Sequence, residues 1–171
     1  MDVDDVFKVG DSFNVAARAA ALGCRVPSGI AILPRNLSNA EAKEDLCYEV
    51  SAATIRMLWR QAGVEETPLE GPGEKFDLMD LRSADIFLPA VFLSYEAMAA
   101  SPYMVTMALN VLSAYVADAI RGVFTHDTRV HCSAIVEKRP DGTEYREVDY
   151  DGPCEAFDQF AVVVKEVFDG S

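Results

Sequence analysis

The segment at 101–122, SPYMVTMALNVLSAYVADAIRG, constrains this chain more than any other. Ser101 followed by Pro102 reads as a helix start. Serine caps free backbone N–H groups, and proline suits the first helical position, where no N–H is needed. Gly122 is the expected stop. Between Pro102 and Asp118 there is no charge. A helix this apolar has to be buried along much of its surface, so the rest of the chain must be arranged around it. Yet it carries Asn110, Asp118 and Arg121.

The uncharged stretch reaches back to Ala97, which raises the question of a membrane span. Pro102 breaks that run, and the distance from there to Asp118 is too short to cross a bilayer comfortably. Thr106, Asn110 and Ser113 add polar load. The expectation is the central helix of a soluble domain, with no membrane association.

A chain of 171 residues fits one globular domain, residues 1–171. Half of the residues are hydrophobic, enough for a core without disulfide or metal staples. The formal net charge of −13 repels nucleic acid and anionic lipid and favours solubility or a basic partner. Cys24, Cys47, Cys132 and Cys154 are widely spaced with no CxxC, and His126 and His131 are the two histidines. No zinc ligand set forms from that pattern, and buried free thiols in a reducing cytosol are expected. The acidic start MDVDDVFKVG has no apolar run, so no secretory leader is expected. No metal or cofactor is expected, and the localisation that follows is cytoplasmic.

Local signals give the order α, β, α, β, α, β, β, α, with an extra strand at 5–9. Ser12 and Gly23 bracket a first helix over 12–23. GIAIL at 29–33 reads as a buried strand. Ser38 to Glu41 matches a capping box, so a helix is expected over 39–62, ending at Gly63. A helical turn near 77–84 follows a Gly/Pro break. FLPAVFLS at 87–94 reads as a second buried strand, with Pro89 confining regular pairing to its later half. Strands at 129–138 and 143–151 flank a type I turn with a bulge at 139–142, and a helix follows Gly152 and Pro153. The fold class is α/β or α+β: a mixed sheet of four to five strands packed with the long central helix, the helix at 39–62 and a C-terminal hairpin-helix unit. The first two strands are expected to be parallel neighbours.

Candidate function follows from polar stripes. On a helix over 39–62, Asp45, Glu49, Ala53, Arg56 and Arg60 fall on one side between apolar flanks. On the central helix, Tyr103, Thr106, Asn110, Ser113 and Arg121 do the same. Each stripe is either a solvent-facing line or one wall of a cleft. Arg35 and Asn36 follow the first strand, where open α/β sheets bind ligands. The candidate ligand-binding set is therefore Arg35, Asn36, Arg56, Arg60 and Asn110, with Glu49 and Asp118 as acid/base candidates. Glu144, Glu147 and Asp149 with Lys138 suggest a nuclease only weakly, because the chain is acidic and no matching aspartate stands on a neighbouring strand; exposed cross-strand ion pairs explain them as well. GxSxG, GxGxxG and phosphate-loop patterns are absent. Two function classes remain. One is a cytoplasmic interaction module working in an oligomer or multi-protein complex, with Tyr103, Tyr145 and Tyr150 offered to an interface. The alternative is a small enzyme or sensor that holds an anionic metabolite or nucleotide between the strand ends and the two long helices.

Overall fold

Alternation in the hairpin sets the layers. In RVHCSAIVE, the even-numbered Val130, Cys132, Ala134 and Val136 all belong to the larger hydrophobic core, whereas Ile135 belongs to a second, smaller one. Period two in a strand puts these sets on opposite faces of a sheet. The computed structural model describes residues 3–81, 83–121 and 127–170. Gly122, the expected helix stop, and His126 lie outside them.

In chain order the elements are α1 (Val3–Val6), β1 (Phe7–Asp11), α2 (Val15–Ala21), β2 (Ile30–Leu33), a 3-10 turn (Lys43–Asp45), β3 (Cys47–Glu49), α3 (Ser51–Ala62), β4 (Asp77–Met79), β5 (Ile86–Phe87), β6 (Ala90–Leu93), α4 (Tyr95–Ala100), α5 (Pro102–Arg121), β7 (Arg129–Glu137), β8 (Tyr145–Pro153), a second 3-10 stretch (Cys154–Gln159) and α6 (Phe160–Asp169). The main sheet is mixed, in the order β1-β8-β7-β6-β2, and β5 also pairs with β7. The α/β class, the long helix and the C-terminal hairpin-helix unit are all present. Hairpin closure is as read from sequence: Gly142 sits at φ 70° and its N–H donates to the Arg139 carbonyl.

The larger core joins Val91, Leu93, Val148 and Tyr150 of the sheet to Ile55 and Trp59 of α3, to Val105, Leu109, Leu112 and Val116 of α5, and to Val164 of α6. The indole N–H of Trp59 donates to the Ala108 carbonyl at 3.0 Å, pinning α3 to α5. On the other sheet face, Ala31, Leu33, Phe92, Ile135 and Tyr145 are covered by Val15 and Ala19 of α2 and by Leu37, Leu46 and Leu69. That cover is shorter than the sheet.

Four local expectations give way to longer-range contacts. Helix α3 begins at 51 rather than 39, because the Asn36 side chain accepts from the Cys47 N–H at 3.1 Å and donates to the Asp45 carbonyl at 2.8 Å. That clamp extends residues 47–49, which pair in parallel with 77–79, so the expected helical turn there is strand β4. The first two long strands, β2 and β6, are antiparallel neighbours, not parallel ones. Helix α2 is capped by Asn14, whose side chain accepts from Ala17 N–H, while the Ser12 N–H donates to the Tyr145 carbonyl.

Helix α5 does start at Pro102. Among the described residues it is one helix long and apolar enough to cross a membrane. Here one side of it is buried against α3 and α6, and its polar stripe, with Asn110, Asp118 and Arg121, faces outward. Tyr103 is 76% exposed, whereas Tyr145 and Tyr150, expected at an interface, are buried at 5% and 1%.

Candidate functional site

A one-residue bulge builds the most structured surface of the molecule. Ile86 and Phe87 pair with Val130 and His131, but Val91 pairs with Ala134, so β5–β6 spends one residue more than β7 over the same span. The extra residue falls at Leu88–Pro89, where proline has no N–H to lose from the ladder. Leu88 still donates to the His131 carbonyl at 2.9 Å. The bulge reverses the phase of side-chain alternation. Upstream of it Ile86 and Leu88 face the larger core, and Phe87 turns to the opposite face, beside His131.

On that face, beyond the reach of the α2 cover, lies a trough of about 410 Å³. Its floor is low because Ala90 and Ser133 are small. One wall is a stacked column. The rings of Phe87 and His131 are parallel within 8° at 4.4 Å, and the Arg35 guanidinium carbon lies 5.9 Å from the Phe87 centroid. Arg35 Nη1 also donates to Glu49 Oε1 at 2.8 Å. His131 is held by Asp85 through Nε2 at 2.9 Å and approached by Asp151 through Nδ1 at 3.5 Å. The His131 hydrogen bond holds the Asp85 carboxyl below its ordinary range.

The other wall is acidic. Positions 147, 149 and 151 alternate along β8, so Glu147, Asp149 and Asp151 stand on one face. Glu147 lies opposite Ile135 and Gly10, and Asp149 opposite Ser133 and Lys8. Burial first, and then the Asp149 charge and hydrogen bond, push the Glu147 carboxyl up to about 7. Burial raises Asp149 too, against the pull of the Glu147 hydrogen bond and the Lys8 charge. Burial also raises Glu49, which Arg35 partly offsets.

The sequence-derived candidates divide among separate surfaces. Arg35 and Glu49 meet at the trough as an ion pair. Asn36, beside them in sequence, is taken up by the turn clamp. Arg56 lies in a different depression, lying over the Tyr48 ring and paired with Glu66 at 2.9 Å and Glu70 at 3.1 Å. Arg60 and Asn110 are exposed on α3 and α5, and Asp118 makes an exposed 3.7 Å pair with Arg121. Sequence reasoning passed over Phe87, His131 and Asp85, and set aside Glu147 and Asp149 as solvated ion pairs. The alternating acids at 147, 149 and 151 were a readable signal for one face. The cover that stops short of them was not.

The thiols and His131 are not set up as nucleophile and base. Burial raises all four thiols, so none offers a thiolate at neutral pH. Both ring nitrogens of His131 face carboxylates, with no hydroxyl between them. No group of three or more His, Cys, Asp or Glu among the described residues is placed to hold a metal ion. Compared with models of protein families, with curated proteins and with solved structures, the chain matches none.

Proposed function

We propose that this chain is a soluble, cytoplasmic interaction module that docks a cationic segment of a protein partner, or of another copy of itself, in the trough on the uncovered half of its sheet. The observation that carries this reading is the pairing of a low, small-residue floor with Asp149 and Asp151 on one wall, Glu147 following on the same face of β8. A lysine or arginine side chain would lay its aliphatic stem over Ala90 and Ser133 and place its charge against the acids. The molecule's net charge of −13 would draw a basic partner towards it. The anionic-metabolite alternative is weaker, because Arg35 and Arg56, the cations it needs, are each already neutralised by carboxylates.

The test is a titration of an acetylated, amidated pentalysine peptide into isotope-labelled protein at low salt, followed by NMR. Shifts confined to residues 131–135 and 147–151, and lost at 0.5 M salt, are expected, since exposed charge pairs are screened within about 10 Å at 0.1 M. Shifts spread over the whole acidic surface would overturn the reading, as would inorganic phosphate perturbing the trough while the peptide does not.

A further inference from the structure

The two edges of the main sheet are finished differently. At the β2 edge, the Thr67 N–H donates to the Ile30 carbonyl at 2.8 Å and Ile30 bridges Glu66, so the chain after α3 covers that strand. The opposite edge, β1, has no such cover among the described residues. One contact fixes its hydrogen-bond phase. The Ser12 N–H donates to the Tyr145 carbonyl at 2.9 Å, and that pair continues the β1–β8 register. Bonded pairs alternate in an antiparallel ladder, so Lys8 and Gly10 turn their backbone groups to β8, and Phe7, Val9 and Asp11 turn theirs outward. The Phe7 N–H closes the turn of α1, which leaves open the Phe7 carbonyl and both groups of Val9 and Asp11. Helix α1 itself is held against the end of β8, because Val6 is buried in the larger core where a Cβ at Gly152 would meet it at 2.7 Å. An open row of backbone donors and acceptors is a template for another strand. Val9, 44% exposed, stands at its middle.

We infer that β1 is a homodimer interface: two copies join edge to edge and antiparallel, with Val9 on the two-fold axis, so that two sheets run on as one. The chain's own residues select this register. Outward groups must meet outward groups, which leaves three centres. Centring on residue 8 sets Lys8 directly against the second copy's Lys8, two like charges. Centring on residue 10 sets Val9 against the second copy's Asp11, an apolar group against a charge. Centring on residue 9 buries the exposed valine against the second copy's Val9, and the Asp11 N–H donates to the second copy's Phe7 carbonyl. It also sets Lys8 beside the second copy's Gly10, which lies opposite the second copy's Glu147. A Cβ at Gly10 would meet nothing within 4 Å, and its backbone is not left-handed, so the single chain does not call for glycine there. In the dimer that gap is where the Lys8 stem crosses, two strands and about 10 Å from the second copy's Glu147. Each acidic copy thereby directs a cation at a carboxylate of the other. The two-fold axis stands perpendicular to the sheet, so both troughs open on the same side. The inference is independent of what docks there.

The experiment is sedimentation equilibrium on the full chain from about 10 µM to about 1 mM, in about 0.3 M salt to screen the repulsion between two copies of net charge −13. Amide hydrogen exchange is followed at both ends of that range. The mass is expected to climb from 18.7 kDa towards twice that value, a weak dimer being what one short strand supports. The Val9 and Asp11 amides should gain protection with concentration, whereas those of Lys8 and Gly10, already bonded to β8, should not. Val9→Pro removes an outward N–H and no bond to β8, so it should keep the circular dichroism of the wild type and weaken association at least about tenfold. Lys8→Glu should weaken it about tenfold, two symmetric pairs turning repulsive, and adding Glu147→Lys in the same chain should restore it. A monomer throughout the range overturns the inference. So does a dimer indifferent to both substitutions, or one whose concentration-dependent protection lies away from β1. If Val9→Pro unfolds the chain, the charge reversal and the wild-type exchange pattern decide.

Discussion

Removing the Arg56 guanidinium would leave Glu66 and Glu70 facing each other beside the buried Tyr48 ring, each having lost its main counter-charge. Burial already raises the Glu66 carboxyl, with Arg56 as the principal offset. Arg56→Ala is therefore a stability variant: it should cost roughly 2–3 kcal/mol in urea unfolding, below the figure for fully buried pairs because the three side chains retain some water contact. Arg56→Lys should recover part of this, since a point charge replaces a planar fork. Helical spacing revealed that Arg56 stands on a polar stripe. It could not reveal the partners, because Glu66 and Glu70 follow the helix in an irregular segment whose path no periodicity encodes. Asn110 and Asp118 were legible as stripe residues in the same way, and they proved to face outward. Spacing assigns residues to a side of a helix; which side meets water depends on what else packs there.

Elements whose signals are short and self-contained came through the sequence intact. The turn at 139–142 is one: proline and glycine at the right offsets predict it, and Gly142 takes a left-handed conformation. A Cβ there would meet the Tyr145 hydroxyl at 2.9 Å and Glu137 Oε2 at 3.0 Å. Gly142→Ala should cost roughly 1–2 kcal/mol from backbone conformation, with the crowding adding to it, read as a lowered urea midpoint. Helix 39–62 shows the opposite case. The Ser38 capping-box pattern is a local preference, and it lost to the Asn36 clamp and to the pairing of 47–49 with a strand about thirty residues further on. Antiparallel β2–β6 pairing was hidden for the same reason. Both strands read as buried apolar runs, and burial carries no direction.

At the scale of the whole molecule, pH dependence follows from carboxyls displaced in opposite senses. Glu49, Glu66, Glu147 and Asp149 hold their protons more tightly folded than unfolded, burial being the first cause in each. Their folded values lie above the unfolded ones, so stability is full at low pH and is lost as pH rises towards the folded values, about 7 for Glu147. Asp85, held down by His131, works the other way and loses stability as pH falls through its folded value. The urea midpoint should therefore peak near about pH 5 and decline by pH 8, with E147Q flattening the decline. A midpoint that rises steadily from pH 5 to 8 would show that the trough carboxyls are ordinary. The dominance of acid over base was visible in composition. Which acids are crowded was not, because that depends on which strands come to lie beside β8 in the sheet.

The bulge at Leu88–Pro89 gives this surface an unusual kind of vulnerability. Most binding faces are written in residue identities, and a substitution edits them one at a time. Here the aromatic wall depends on a count. Were all the residues from Ile86 to Val91 to pair without a bulge, strand alternation would run through unbroken. Phe87 would then point into the core and Ile86 out over the trough, with every side chain chemically unchanged. The surface therefore behaves like a reading frame. It can tolerate many replacements at position 89, yet losing the bulge at constant chain length would exchange inside for outside along the whole segment upstream.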